Sequence, residues 1–384
     1  MNSSRYAIFL AVVLSIWALV HTYVFGRLAS VPWIAAHFSR KALVIIAILL
    51  WLSYLLVRLL DAWRLDAVAY PLELAATTWM GVLLLLFFAL LAVDAITLGG
   101  WLAPRLSLVI RGGAVVGGLI LSAIALSQGF RPPVVVDYTV TLAGLPRALD
   151  GLTMVVVSDL HLGTLIGQRW LGHLVSRVNG LKPDLVAAVG DVLDGNGRHT
   201  RTLVPVLAQL QAPLGVWAVT GNHEYYAGLE ESVALLEAAG WHLLRDRSAE
   251  VTRGLVLAGV DDLTARGQVG EKGQPLEKAL SGRPPGATIF FSHSPWEAEK
   301  AAALGAGLML SGHTHAGQIW PFNFLIGLRY PLLGGRYEVS SMPVIVCRGT
   351  GTWGPRMRLW RPGEVVRIRL EARPDLGQRR LEPR

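Results

Sequence analysis

Five stretches of the chain close an apolar, β-branched run with Gly or Ser and then present Asp, Asn or His. They are "MVVVSDLHLG" with Asp159 and His161, "LVAAVGDVLDG" with Asp191 and Asp194, "VWAVTGNHEYY" with Asn222 and His223, "TIFFSHSP" with His293, and "LMLSGHTHAG" with His313 and His315. Imidazole, carboxylate and amide oxygen without thiolate form the donor set of borderline-to-hard divalent metals such as Zn, Fe or Mn. Asp159, His161, Asp191, Asn222, His293, His313 and His315 make seven candidate ligands. Seven donors are too many for one tetrahedral ion and suit two ions that share a bridging carboxylate. An H-x-H loop sends both imidazoles to one side, so each can serve a different ion. His173, His199 and His242 lie off this pattern and read as surface or helix residues.

Candidate donors about 150 residues apart meet only if the fold gathers the ends of these runs. Runs that are apolar throughout suit strands covered on both faces. Between them lie helix-like stretches such as "QRWLGHLVSRVN" and "LEESVALLEAAG", the second closing on a glycine. In sheets packed against helices, functional groups collect at the C-terminal ends of the strands. The expectation is an α/β architecture in which all five ligand clusters converge on one edge.

The rest of the chain asks for a different solvent. Of 384 residues, 53% are hydrophobic and only 16% charged, against about 25% charged in ordinary soluble domains. Nearly all long uncharged runs precede Arg131. Four segments reach the roughly 20 apolar residues that a bilayer-crossing helix needs: Tyr6 to Phe25, Ala42 to Leu60, Ala76 to Leu98 and Leu106 to Ser127. The first is too long, and lacks a nearby cleavage site, to read as a signal peptide. Trp33, Trp63 and Trp101 fall near the expected lipid boundaries. Lys and Arg are nearly balanced between the two sides, so charge asymmetry leaves the orientation open. Asp94 and Arg111 fall inside the third and fourth spans at similar depth, where an ion pair is favoured over a transport path. The expected organisation is a membrane domain of four transmembrane helices over 1–130, a linker and first strand over 131–148, a catalytic domain over 149–372 and a basic tail over 373–384.

A net charge of +8 and a pI near 9.9 fit an anionic bilayer surface or a phosphorylated substrate. No nucleic-acid module is visible. The single cysteine, Cys347, excludes an intramolecular disulfide and sits in the strand-like "PVIVC". No phosphate-cradling P-loop occurs among the glycine-rich stretches. Arg348, Arg356 and Arg358 around "GTGTWGPRMR" are either phosphate holders or surface residues.

"DLH", "GDVLD", "GNHE", the isolated "SH" and "GHTH" stand in the order of the D-x-H, G-D-x-x-D, G-N-H-[DE], H and G-H-x-H blocks of the calcineurin-like metallophosphoesterases. The chain resembles that superfamily from about Leu149 to Leu370. "SDLHLG" and "GTGTWGPRMR" make it similar to the membrane-associated bacterial phosphohydrolase branch, although Ala316 stands where that branch commonly has glycine. The resemblance implies a sandwich of two β-sheets flanked by helices. It implies that Asp159, His161 and His315 hold one divalent metal ion, that Asn222, His293 and His313 hold a second, and that Asp191 bridges them. His223 would then stand beside the scissile group and Asp194 would orient a ligand or His223, with Glu224 and Tyr225 as supports.

Two such ions, about 3.5–4 Å apart, share a water, lower its pKa and hold the phosphate oxygens, so that hydroxide attacks phosphorus in line. The expected protein is therefore a multi-pass cell-membrane, dinuclear-metal phosphohydrolase cleaving a phosphodiester or pyrophosphate bond. Its anchor makes a lipid-linked or nucleotide-lipid substrate a candidate. The rival class is a membrane sensor or transporter whose soluble domain only binds metal or a phosphorylated ligand, and degenerate domains of that kind usually lose ligands.

Overall fold

The structure is a computed structural model that describes residues 3–195 and 197–373, so the basic tail expected over 373–384 lies, beyond Arg373, outside the described residues. The chain divides into two compact units. One is built on four helices, α1 (Ser3–Leu28), α2 (Arg40–Ala62), α3 (Asp66–Thr97) and α4 (Pro104–Gly129), and also takes in Gly317–Leu325 and Thr352–Pro362. The other comprises Pro132–Ala316, Ile326–Gly351 and the chain from Gly363 onward.

All four helices are long and apolar enough to cross a membrane. α2 starts on Ser39, whose side chain accepts a hydrogen bond from the Ala42 amide and so satisfies one of the helix's open donors. α3 begins ten residues before the expected span and carries Pro71 at its sixth position, where the ring removes one intrahelical hydrogen bond. α4 starts directly on Pro104, whose fixed φ suits the first helical position. Val24, Leu43, Leu83, Leu86, Leu90 and Val115 form the apolar centre of this bundle. A second cluster joins Leu85 and Ala125 to Ile319, Met357 and Leu359 of the two later segments.

Asp94 and Arg111 form the expected pair. Asp94 Oδ1 accepts from Arg111 Nε at 3.1 Å and Nη2 at 2.8 Å, while Oδ2 accepts from the Tyr23 hydroxyl at 2.7 Å and lies 2.6 Å from Arg27 Nε. Arg111 Nη2 also donates to the Gly99 carbonyl. Each carboxylate oxygen is thus taken by partners, as a charge buried among apolar helices requires.

The other unit is a sandwich of two six-stranded sheets. The first contains β1 (Val134–Leu142), β2 (Thr153–Val157), β3 (Leu185–Val189), β4 (Val216–Val219), β5 (His242–Leu243) and β12 (Glu364–Ala372), in the order β1-β12-β2-β3-β4-β5. The second contains β6 (Arg247–Thr252), β7 (Leu255–Gly259), β8 (Ala287–Phe291), β9 (Leu308–Ser311), β10 (Gly335–Val339) and β11 (Met342–Val346), in the order β10-β11-β9-β8-β7-β6. The apolar-throughout runs have a simple cause. Met154 and Val156 face the core between the sheets, together with Leu257, Ile289, Phe291 and Leu310. Val155 and Val157 face the opposite way, into a layer with Leu171, Leu174 and Val178 of the helix Gln168–Gly180. Period-two alternation therefore divides the side chains between two apolar layers, and no position along β2 is left for water. β2, β3 and β4 are parallel neighbours, as are β7, β8 and β9, so their carboxyl ends point together within each sheet. The five ligand-bearing ends are divided, with β2, β3 and β4 in one sheet and β8 and β9 in the other, where the sequence reading expected a single edge.

Candidate metal centre

Three of the five strand ends deliver their donors through a backbone that ordinary residues avoid. Asp159, His161, Asp191, His313 and His315 all have positive φ, between 47° and 72°. A non-glycine residue in the left-handed region costs of order 1–3 kcal/mol and is held there only by its surroundings. Those surroundings are the neighbouring loops. A side chain on Gly190 would strike the His293 ring at 2.6 Å, one on Gly221 would meet Asp191 Oδ1 at 2.2 Å, and one on Gly312 would meet Asp159 Oδ2 at 2.5 Å. The glycine before Asp191, Asn222 and His313 in the three G-D, G-N and G-H pairs thus clears room for a ligand of another loop.

The donors form two tight groups. Asp159, His161 and His315 each offer one ligand atom within 4.8 Å of the others, and Asp191, His293 and His313 do the same. In the first, His161 Nε2 and His315 Nε2 face each other at 3.1 Å, with Asp159 Oδ1 at 3.3 Å from His315 Nε2. In the second, His293 Nε2 lies 3.1 Å from Asp191 Oδ2 and 3.3 Å from His313 Nδ1. The same Asp191 Oδ2 stands 3.9 Å from His161 Nε2, so one oxygen reaches toward both groups. Asn222 is buried, and its Oδ1 has no hydrogen-bond partner among the described residues.

Outer contacts fix how each donor points. His293 Nδ1 donates to the Val189 carbonyl at 2.7 Å, which leaves Nε2 facing inward. His313 Nε2 pairs with the Tyr330 hydroxyl at 2.7 Å, which leaves Nδ1 facing His293. Asp159 accepts from Ser158 Oγ at 2.6 Å and from the His313 amide at 3.1 Å. Glu224, wholly buried, accepts from the amides of Asp191, Leu193 and Gly221 and so ties two ligand loops together. Asp194 Oδ1 accepts from His223 Nδ1 at 3.0 Å, while its Oδ2 stands 3.4 Å from His161 Nδ1, long for a hydrogen bond.

The electrostatics are those of charges forced together. Burial pushes the Asp159 and Glu224 carboxyls upward. At His293, burial opposes the charged form, but the Asp191 carboxylate outweighs it and holds the imidazole well above its usual range. At His223 burial is again outweighed, chiefly by Asp191 and Asp194, and the ring is raised to about 9. His313 moves the other way, lowered by burial and by the cationic His293 beside it to about 3. An imidazole that stays neutral with an inward lone pair is what a metal ligand must be. Converging donor atoms, an amide oxygen without a partner and two buried carboxylates that repel each other fit divalent cations.

Other predicted positions lie elsewhere. His173 and His199 sit on helices, and His242 stacks on Trp217 in β5. Arg348 binds Glu364 through its amide and Nε, and the buried Arg358 donates to the Arg361 carbonyl. Tyr330, which fixes His313, carried no signal in the sequence, since nothing in a lone tyrosine 17 residues downstream marks it as a partner. Ala316 is fully buried with φ of 50°, a conformation that glycine adopts without strain.

Residues 152–317 match the family described as calcineurin-like phosphoesterase. The chain is 37% identical over 292 residues to a "Transmembrane protein with metallophosphoesterase domain" of Danio rerio, covering 73% of this chain and 65% of that one. It is 35% identical over 334 residues to the protein of the same description from Bos taurus, covering 79% and 75%. It is 34% identical over 241 residues to an "Uncharacterized metallophosphoesterase" of Aquifex aeolicus (strain VF5), covering 62% of this chain and 91% of the relative. With its five ordered blocks, its two-sheet sandwich and a relative matched along three quarters of that relative's length, the chain belongs to the calcineurin-like metallophosphoesterases.

Proposed function

We propose that the protein is a multi-pass membrane phosphohydrolase that cleaves a phosphodiester or pyrophosphate bond on two divalent cations, with residues 1–130 as its membrane domain and 149–372 as its catalytic domain. The observation that carries this reading is the convergence of ligand-type side chains from four strand ends into two groups, with Asp191 Oδ2 reaching toward both. Asp159, His161 and His315 would hold one cation, and Asn222, His293 and His313 the other, with Asp191 between them. Bound cations supply a water of lowered pKa and neutralise phosphate oxygens.

The chain's own residues do the rest. Asp194 takes His223 Nδ1 and fixes the ring, so proton donation falls to Nε2. His223, raised to about 9 by its acidic neighbours, carries that proton at neutral pH. In the step, a water oxygen forms a bond to phosphorus, the bond to the leaving oxygen breaks, His223 protonates that oxygen, and the proton of the water passes to solvent. Glu224 keeps the Asp191 and Asn222 loops in register. The apolar helices favour an amphiphilic substrate such as a lipid headgroup or a nucleotide-linked lipid.

Full-length protein purified with Mn²⁺ should hydrolyse bis(4-nitrophenyl) phosphate and bind about two ions per chain. Two ions bound without turnover of this diester, of a monoester and of a lipid diphosphate would leave a binding module and end the enzyme reading.

A further inference from the structure

Beside the metal centre, in the same unit, lies a groove of about 910 Å³ whose inner wall is Thr264, Trp296 and Tyr330 and whose exposed rim includes Gln268, Lys272 and Arg329. It meets the candidate site at three points. The Tyr330 hydroxyl is hydrogen-bonded to His313 Nε2 at 2.7 Å. The Thr264 hydroxyl bonds to Ser294, the residue after His293, at 2.7 Å. Gln268 Oε1 accepts from the Tyr226 hydroxyl at 2.7 Å, and the Tyr226 ring lies 5.4 Å from that of His223. The groove therefore borders both the second group of ligands and the residue assigned to protonate the leaving oxygen.

Its charge is uneven. Five basic and three acidic side chains line it. Arg266 binds Asp246 and Glu271 at 2.7 and 2.6 Å, and Lys300 binds Glu277 at 2.9 Å, so those cations are already neutralised. Lys278 stands 3.9 Å from Asp246. Among the described residues, Lys272 and Arg329 have no carboxylate partner. Arg329 instead places its guanidinium carbon over the Trp296 ring, 4.1 Å from the centroid, and Trp296 in turn packs against Tyr330 at 4.7 Å. A guanidinium held over an aromatic ring keeps the N–H donors that anion recognition uses.

The geometry points to this groove as the subsite for the leaving group, and to Arg329 and Lys272 as the residues that select a leaving group carrying its own negative charge. That charge can be a carboxylate or a second phosphate, and the shared chemistry is a pair of anionic oxygens met by a guanidinium and an ammonium. The inference rests on the phosphohydrolase reading for which end of the substrate enters the groove, but the groove's affinity for anions does not depend on turnover.

The test uses full-length protein in detergent. With Mn²⁺ present, kcat/KM is measured for bis(4-nitrophenyl) phosphate, for bis(3-carboxy-4-nitrophenyl) phosphate and for ADP. Arg329→Ala and Lys272→Ala should each raise KM for the carboxylated diester or for ADP about tenfold, the worth of one charge-assisted hydrogen bond, and leave bis(4-nitrophenyl) phosphate, whose leaving group carries no anionic substituent, within about twofold. Whichever of the two anionic substrates responds identifies the source of the charge. Lys278→Ala is the control for bulk charge and should change nothing. In parallel, calorimetric titration of ADP and of 3-carboxy-4-nitrophenol into chelator-treated protein should show binding that Arg329→Ala weakens about tenfold. Equal losses on the carboxylated and the plain diester, an equal effect of Lys278→Ala, or unchanged binding in the Arg329 and Lys272 variants would overturn the assignment. Absence of turnover on every substrate with calorimetric binding intact would instead sink the phosphohydrolase reading and leave the anion site standing.

Discussion

The protein buries two clusters of charge, and they are built to opposite ends. Around Asp94 every polar atom is answered: Arg111, Arg27 and Tyr23 take both carboxylate oxygens. Around Asp191 the donors answer one another poorly. Two imidazole nitrogens face each other at 3.1 Å, an amide oxygen has no partner, and two carboxylates share one small space. The first arrangement is closed and has nothing left to offer a ligand. The second is unsatisfied by protein alone, and that deficit makes it receptive.

Substitutions can widen or erase this contrast. Asp191→Asn removes the charge that both ligand groups share, so it should abolish turnover by more than the effect of any single proton donor. Metal analysis of that variant should find fewer than two ions, and full occupancy would refute the bridging role. His223→Asn should cost about 10²–10⁴ in kcat with metal content unchanged, because it removes only acid assistance. Asp94→Ala should destabilise the helical unit by about 3–5 kcal/mol, since it leaves the buried Arg111 unpaired. Thermal unfolding in detergent would measure this, and metal stoichiometry should not move; if it does, the two clusters are not independent. Tyr330→Phe should cost least, about 10-fold or less in metal affinity, through a loosened His313.

The two clusters also differ in how far they could be read from sequence. The clustering of the candidate donors was legible because each of them closes an apolar run, and a run's end is a place the fold must put somewhere specific. The pairing of Asp94 with Arg111 was legible from depth alone, but Arg27 and Tyr23 were not, because helix rotation decides which flanking residues turn inward. The division of the ligand strands between two sheets was carried by the family likeness and not by periodicity, since a run buried on both faces looks the same in either sheet. Tyr330 and the arrangement of Arg329 on Trp296 were invisible, for they depend on where a short helix, Phe322–Arg329, comes to rest. Nor does any pattern in "GTGTWGPRMR" announce that Met357 and Leu359 pack with Leu85 and Ala125 of the membrane helices.

Gly190, Gly221 and Gly312 carry a consequence for how such a centre can change over time. Each yields space to a donor that belongs to a different stretch of chain, His293, Asp191 and Asp159 respectively. The loops are therefore interlocked, not modular. Transplanting one of them from a distant homologue brings in a contour matched to absent neighbours, and a substitution at one glycine changes what is tolerated at another. Paired replacements across these contacts should be strongly non-additive, so variation is expected to accumulate in the outlying groove and to spare the interlocked loops.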